Sequence, residues 1–324
     1  MDDFAFLKEN FSFLREEDSW ETIENPSEVS ITIHIRFGRF GNKYNTLKKI
    51  LIIALYFRIP MVYLHISMKN VFAFTSPHIT MINSLDDIKN KKNVLLSNGG
   101  DKEIYYCDVS AFFGANNAYE SNAKNILRAS LKYHKRTLIS DNMLRIHIRG
   151  GDIFRDSMTP VINIRYRQPP LAWYFACITA HKQRHENCIV MIISEDRKNP
   201  CIAAIIEWCA HNGIKYRANI NSLENDYTLL MNARFLVASK GTFLLPCLDL
   251  NENLTLIYAF NFDWCAEGTY IEKGEWKSSP EQIDRMLNMS LDELALPEDL
   301  YELAKQTAAN AACEPLTWLS PILW

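Results

Sequence analysis

The sequence predicts an α/β protein with two domains, each built on a parallel β-sheet. Short apolar strands alternate with helices, glycine-containing loops follow strands in both halves, and 324 residues with 48% apolar side chains suffice for two full cores. Such alternation is typical of parallel sheets that helices cover on both faces. We expect one α/β domain over 1–140 and a second over 141–262, facing across a cleft, with a helical extension over 263–324 that packs back on the body.

The first half contains a β-loop-α-β unit. Residues 31–35 form a strand pattern, and residues 37–41 form a loop with two glycines. Residues 42–58 then place apolar side chains at spacings of three and four, as an amphipathic helix does, before a strand at 61–65. The loop therefore lies at the carboxyl end of a strand, where open α/β sheets bind ligands. The same half is predicted to contain strands at 94–96 and 104–107 and a helix at 121–133.

The second half alternates more regularly, and it determines the predicted fold class. The polar residues 137–142 precede it and mark the expected domain boundary. Its predicted strands are 143–148, 188–193, 214–216, 235–238 and 254–258. Its predicted helices are 171–182, 200–211, 222–232 and 242–249.

Charge and hydropathy indicate a cytoplasmic protein. The net charge of −3 gives no sign of a nucleic-acid partner, and no apolar run reaches the roughly 20 residues that cross a bilayer. The acidic start differs from the basic, then apolar, start of a secretory signal. The last nine residues contain two tryptophans, and we expect this tail either to pack on the body or to make peripheral contact with the inner face of the membrane.

The eight cysteines show no C-x-x-C spacing, and most lie within apolar stretches. They are therefore interpreted as reduced core thiols, not as metal ligands or a disulfide set. No metal site is predicted.

The stretch His147-Ile148-Arg149-Gly150-Gly151-Asp152 places charged groups where an apolar strand ends. An arginine fork can hold a diphosphate through paired charge-assisted bonds, and neighbouring glycines leave room for a ligand. The structural alternative is a strand followed by a tight turn, with a surface ion pair between Arg149 and Asp152.

Two further strand ends carry polar groups. Glu195 and Asp196 follow the strand at 188–193, and they could accept the N–H donors of a guanine edge or cap the helix that begins near Pro200. Ser239 to Phe243 follow the strand at 235–238 and open a helix, so they form either a phosphate cradle or an ordinary N-cap.

Taken together, these segments resemble the fucosyltransferase superfamily. HIRGGD is similar to the H-x-R-x-G-D motif of the α-1,2- and α-1,6-fucosyltransferases. The stretch GRFGN, from Gly38 to Asn42, resembles a motif of the protein O-fucosyltransferases, and DYTLLMNARFLVASKGTF resembles the family's last block. The resemblance covers residues 31–243 in the family's order, and it implies a GT-B-like fold of two Rossmann-like domains.

The resemblance also implies roles for particular residues. Arg149 would hold the β-phosphate of a GDP-sugar, the donor substrate, with His147 nearby on the nucleotide, and no cofactor would be needed. The implied nucleotide contacts are completed by Glu195 and Asp196 near the guanine, and by Ser239, Gly241, Thr242 and Phe243 around the diphosphate and ribose. Gly38, Gly41 and Asn42 would approach the sugar and acceptor from the facing domain. This chain departs from the family at Gly150, where a second basic residue is usual, and at residues 244–246, which replace a serine-rich segment.

The expected reaction is a metal-independent, inverting sugar transfer, most simply of fucose, to a hydroxyl of a glycan or lipid-linked oligosaccharide. The chain lacks the Asp-x-Asp triplet that carries a divalent cation in other glycosyltransferases, so Arg149 would neutralise the leaving diphosphate. Asp152 is a candidate general base, and Asn42 is expected either to act in turnover or to cap the helix at 42–58. There are two alternatives. The chain could be a related glycosyltransferase that uses another nucleotide sugar, or a non-catalytic module that binds a glycan or a nucleotide.

Overall fold

The computed structural model describes residues 5–66, 71–73, 77–109, 118–132, 142–150, 169, 171–220, 222–239, 242–259 and 321–323. The chain forms two compact units, Met1–Tyr133 with Leu248–Leu250, and His134–Cys247 with Asn251–Trp324. Each contains a largely parallel sheet, which confirms the predicted mixed α/β class. The domain limits at 140 and 262 and the extension over 263–324 stay predictions, because residues 133–141 and 260–320 lie outside the described part.

The first unit contains a five-stranded sheet in the order β1-β5-β2-β3-β4. Only β1 runs antiparallel to its neighbour; the other pairs are parallel. The chain leaves β2 toward β3 on one side, whereas β5 adds on the other, so the strand order reverses between β2 and β5. The strands are β1 (Phe11–Phe13), β2 (Ser30–Ile35), β3 (Met61–Ile66), β4 (Ile79–Met81) and β5 (Val94–Ser97), and the helices are α1 (Ala5–Asn10), α2 (Phe40–Tyr56), α3 (Gly100–Tyr106) and α4 (Ala118–Ser130).

Apolar periodicity explains the core of this unit. Alternate β2 residues Ile31, Ile33 and Ile35 are buried, and Leu47 and Ile50 of α2 are fully buried. The prediction of a strand at 104–107 is wrong, since most of that stretch ends helix α3. A run of four apolar residues cannot distinguish a short strand from the last turn of a helix by periodicity.

The second unit contains a six-stranded sheet in the order β11-β10-β9-β6-β7-β8. Its five parallel strands, numbered along the chain from β6, follow the doubly wound order 3-2-1-4-5, which reverses between β6 and β9. The strands are β6 (Met143–His147), β7 (Ile189–Ile193), β8 (Lys215–Asn219), β9 (Phe235–Ala238), β10 (Leu256–Ala259) and β11 (Pro321–Leu323), and the helices are α5 (Leu171–Arg184), α6 (Pro200–His211), α7 (Leu223–Met231) and α8 (Leu245–Leu250).

The core of the second unit surrounds β6, whose five residues are all buried. Trp173 and Tyr174 of α5 are fully buried beside it. Pro321–Leu323 pair antiparallel with β10, so these three residues of the tail pack on the unit, which is the first of the two alternatives predicted for them. None of the described helices is long and apolar enough to span a membrane.

The described cysteines agree with the prediction of reduced core thiols. Six carry free thiols, and all of these except Cys107 are buried. Burial raises the pKa of Cys209 to about 12. These thiols therefore stay protonated and unreactive at neutral pH. Cys265 and Cys313 lie outside the described residues.

Candidate functional site

The β6–β9 switch point of the second unit brings three predicted site residues together. His147 ends β6 and Ser239 follows β9 directly; the His147 Nδ1 and Ser239 Oγ atoms lie 2.5 Å apart, within hydrogen-bond distance. The Phe243 ring stacks on the His147 imidazole, with 5.0 Å between centroids and 26° between planes. Ligands of doubly wound sheets bind outside the carboxyl ends of the strands at such a reversal.

His147 is a neutral group in this arrangement. It is buried at 7% exposure. Burial, and secondarily the positive charge of Arg149, lowers the pKa of His147 to about 3. At neutral pH the imidazole therefore offers one donor and one acceptor nitrogen, so it is suited to orient a polar ligand or Ser239.

The backbone that carries Arg149 is held at two points. The Ile148 N–H donates to the Ile193 carbonyl at 2.9 Å, which extends the β6–β7 pairing by one residue. The Arg149 carbonyl accepts a 3.0 Å bond from the Asn199 side-chain amide, and Asn199 in turn accepts from the Cys201 N–H at 3.0 Å. The half-buried Arg149 side chain thus starts from a fixed backbone position.

Gly150 lies close against side chains at the end of β7. A Cβ atom at this position would lie 2.6 Å from Asp196 Oδ1 and 3.2 Å from Ser194 Oγ. Any side chain here would force the Asp196 carboxylate aside. The family's second basic residue therefore has no room at this position unless Asp196 moves.

The capping alternative for Glu195 and Asp196 is wrong. The N-cap of α6 is Asn199, whose side chain accepts from the Cys201 N–H. Asp196 Oδ1 instead accepts a 3.0 Å bond from the Lys198 N–H, and Glu195 is exposed. The N-cap alternative for Ser239 to Phe243 stays open, because the helical segment begins with a 3₁₀ turn over Thr242–Leu244 and the two residues before it lie outside the described part. The α-helix α8 follows at Leu245, and its own N-cap Leu244 makes no side-chain bond.

Asp226 is a buried carboxylate at the same sheet edge that the motif interpretation did not select. It lies on α7 at 5% exposure, and its Oδ1 accepts a 2.7 Å bond from Asn219, the last residue of β8. Burial, reinforced by the charge of Glu195 and opposed by the Asn219 bond, raises the pKa of Asp226 to about 7. The available signal was an acidic residue opening an otherwise apolar block, DYTLLM.

Ser194 completes this edge. It is fully buried between Glu195 and the end of β7, and within the described part of the chain its hydroxyl has no hydrogen-bond partner. Several core side chains of the described residues share this property, among them Trp173 and Tyr174, so the position of Ser194 beside Asp196 and Gly150 is what makes it a candidate for ligand contact.

The first unit places Gly38, Gly41 and Asn42 together at the carboxyl end of β2. Gly38 adopts a φ of +68°, and an added Cβ would lie 2.1 Å from the Asn42 side-chain nitrogen, so the Asn42 amide lies over Gly38. Gly41 is buried in the first turn of α2. The helix predicted at 42–58 is present as α2 over Phe40–Tyr56. Its N-cap is Arg39, so the alternative that Asn42 caps this helix is wrong.

Across the β2–β5 reversal, Asp101 fixes the loop after β2. Its Oδ2 accepts the backbone N–H groups of both Arg36 and Phe37. Arg36 Nε lies 2.9 Å from the ring nitrogens of His34. Burial first, then the neighbouring His65 and Arg36, lowers the pKa of His34.

Other predicted site residues are not described. Asp152 and Gly241 lie outside the described residues, as do the adjoining Gly151 and Lys240, and only the backbone turn of Thr242 is described. In the part of the chain that the structure describes, no three His, Cys, Asp or Glu side chains group closely enough to hold a metal ion.

No protein-family model and no curated protein matches the chain. Among solved structures, it is similar to the bacterial iron-containing dodecameric glycosyltransferase TibC from enterotoxigenic E. coli H10407, with 12% sequence identity and a TM-score of 0.40. The match covers 71% of this chain and 57% of TibC. A likeness at this TM-score does not indicate which reaction the chain catalyses.

Proposed function

We propose that the chain is a glycosyltransferase that moves a sugar, most simply fucose from GDP-fucose, to a hydroxyl of a glycan or polysaccharide intermediate. The observation that carries this proposal is the group formed by His147, Ser239 and Phe243 at the β6–β9 reversal, with Arg149 two residues beyond. These side chains belong to the two sequence blocks that resemble the fucosyltransferase superfamily.

The positive charge of Arg149 balances the negative charge that develops on the leaving diphosphate. In the proposed reaction the bond between the anomeric carbon and the diphosphate oxygen breaks, and its electron pair stays on the β-phosphate. The guanidinium fork holds that phosphate through paired bonds and neutralises the developing charge, an effect worth several kcal/mol, on the order of 3, in a closed site. The acceptor oxygen attacks from the opposite face, which inverts the anomeric configuration, and its proton passes to a carboxylate, for which Asp152 is the candidate.

Guanine recognition is assigned to the acidic edge of the same sheet. Guanine presents adjacent N–H donors, which a carboxylate accepts in pairs. Glu195, Asp196 and Asp226 lie near the ends of β7 and β8, and the electrostatic effect of Glu195 on Asp226 supports their proximity. Ser194 adds a hydroxyl with no partner among the described residues.

The proposal includes a GT-B arrangement in which Gly38, Gly41 and Asn42 approach the transferred sugar and the acceptor. A donor with another sugar or base is the second candidate. It is favoured by Gly150, where a side chain would meet Asp196, so that a second phosphate-binding cation is missing from this position.

A thermal-shift panel of GDP, UDP, CMP and GDP-fucose tests the donor. A ligand at about 100 times its dissociation constant stabilises the fold by roughly 2.7 kcal/mol, and we expect this for GDP and GDP-fucose only. Arg149→Lys keeps the charge but loses the fork, so we expect it to remove most activity and weaken the GDP shift. Arg197→Lys, at an exposed position four residues beyond β7, is the matched control. Stronger stabilisation by UDP contradicts the GDP assignment, and activity of Arg149→Lys within about threefold of wild type, under roughly 0.7 kcal/mol, contradicts the role of Arg149.

A further inference from the structure

Three aromatic side chains form a platform at the carboxyl edge of the first sheet. The aromatic platform consists of Phe37 in the loop after β2 and Tyr105 and Tyr106 at the end of α3. The Phe37 centroid lies 5.0 Å from that of Tyr105 and 6.0 Å from that of Tyr106, with 57° and 55° between the ring planes. The two tyrosine rings lie 4.9 Å apart and meet edge to face at 88°, so the three rings form a cluster in which a ligand stacks on one ring and contacts the edges of the others. Tyr105 and Tyr106 lie outside the three sequence blocks that resemble the fucosyltransferases. Phe37 directly precedes the block that begins at Gly38.

The aromatic platform presents one exposed ring, Tyr106, and its other two rings are half-buried. Tyr106 is 58% exposed, the highest value among the large apolar or aromatic side chains found exposed in the described chain. A cluster that served only as a small core would bury its rings, because exposed aromatic area costs free energy without a ligand. An exposed aromatic cluster at a ligand-binding edge therefore indicates a binding surface.

Two contacts hold the aromatic platform in place before any ligand binds. Asp101 accepts the backbone N–H groups of Arg36 and Phe37, which ties the loop after β2 to the first turn of α3. Lys49 of α2 donates to the Tyr105 carbonyl at 2.6 Å and also to the Cys107 carbonyl, which satisfies the last carbonyls of α3. Both ends of α3 are thus fixed, so the backbone that carries the rings does not have to be ordered when a ligand binds.

The surroundings suit a sugar ring. Pyranose rings present C–H groups on one face and hydroxyls around the rim; aromatic rings pack against the first, and charged groups such as the exposed Arg36 guanidinium bind the second. We propose that Phe37, Tyr105 and Tyr106 bind a pyranose ring of the acceptor glycan. This inference deepens the proposed function, and the identification of the bound sugar as an acceptor rests on that function.

Saturation-transfer NMR with methyl β-glucoside, methyl β-galactoside and methyl β-lactoside tests the platform in the full chain without donor. A stacked sugar ring binds in the millimolar range, and we expect at least one glycoside to bind wild type. Tyr106→Ala should raise its dissociation constant at least tenfold, about 1.4 kcal/mol, whereas Tyr106→Phe keeps the ring and should change it less than about twofold. The matched control is Tyr216→Ala, which removes an exposed tyrosine from β8 of the other unit.

A second measurement avoids dependence on a truncated variant. In wild-type protein labelled with 3-fluorotyrosine, the fluorine resonance of Tyr106, assigned by its loss in Tyr106→Phe, should shift on titration with the bound glycoside. The inference is overturned if no glycoside binds, if binding survives Tyr106→Ala unchanged, or if guanosine but no glycoside shifts this resonance. If GDP stabilises the protein but no glycoside binds at Tyr106, the inference about the platform fails and the proposed function remains supported. A glycoside at Tyr106 without any GDP response would instead leave a glycan-binding protein.

Discussion

At the scale of single residues, Asp226 links the site to pH. Its folded-state pKa of about 7 lies above the ordinary value of 3.8, because burial disfavours the charged form. The folded protein therefore holds this proton more tightly than the unfolded chain. The stabilising contribution of the protonated group is complete below about pH 4 and is lost as pH rises through about 7.

We expect Asp226→Asn to be more stable than wild type above pH 7 and similar to it near pH 4. The amide stays neutral and its oxygen can still accept from Asn219, so the difference should grow across this window to at most ~4 kcal/mol. Urea denaturation at several pH values measures it. Glu207→Gln, on the exposed side of α6, is the matched control for the loss of one carboxylate. Equal stability of Asp226→Asn and wild type at pH 8 would show that this carboxylate is not strained by burial.

The same substitution separates the structural role of Asp226 from its proposed role. If the carboxylate accepts guanine N–H donors, GDP affinity in wild type should fall as pH drops from 8 to 6, and Asp226→Asn should bind GDP at least tenfold more weakly at pH 8. His147 does not confuse the measurement, because its pKa of about 3 lies far below this range. GDP affinity unchanged in the variant would remove Asp226 from the nucleotide site.

At the scale of elements, the first turn of α2 allows a sharper test of Asn42 than the sequence alone did. Arg39 is the N-cap, so Asn42 is the third residue of the helix and its loss removes no cap. We expect Asn42→Ser to lower turnover at least tenfold, about 1.4 kcal/mol, with the melting temperature and GDP affinity nearly unchanged. Asn45→Ser, one turn later in α2, is the matched control. Full activity of Asn42→Ser would exclude this side chain from the reaction.

Long, strongly patterned elements were predictable from the sequence. Helix α6 has the predicted bounds, because Asn199 and Pro200 form a recognisable helix start, and β9 has them because a short apolar run is enclosed by polar residues. The start of α2 was displaced by two residues, since Arg39 caps it without a side-chain bond. The three-residue strands β1 and β4 were not predicted, because strands this short have too few residues to show alternation.

The candidate site was predictable where a motif follows a strand, and it was not where the fold brings distant residues together. The position of His147 at the end of β6 could be inferred from the sequence, but its contact with Ser239, 92 residues away, depends on β9 adding next to β6. Asn199, which holds the Arg149 carbonyl, carries no sequence signal beyond its role as a helix cap. Tertiary pairing of this kind is decided by strand order, which local patterns do not specify.

At the scale of the whole molecule, charge compensation at the diphosphate determines whether a metal ion is needed. The complete sequence has no Asp-x-Asp triplet to present a divalent cation, and it places Arg149 where the diphosphate is proposed to bind. A fixed guanidinium can neutralise the leaving group without a cation, since both act through electrostatic stabilisation of developing charge. We therefore expect sugar transfer from GDP-fucose to proceed in EDTA at a rate within about twofold of that without chelator, under roughly 0.4 kcal/mol. The same assay with Arg149→Lys should remain slow whether manganese or magnesium is added or not, because a cation that binds elsewhere cannot replace the fork. Complete loss of activity in EDTA, recovered with manganese or magnesium, would contradict metal-independent transfer and assign the leaving-group charge to a bound cation.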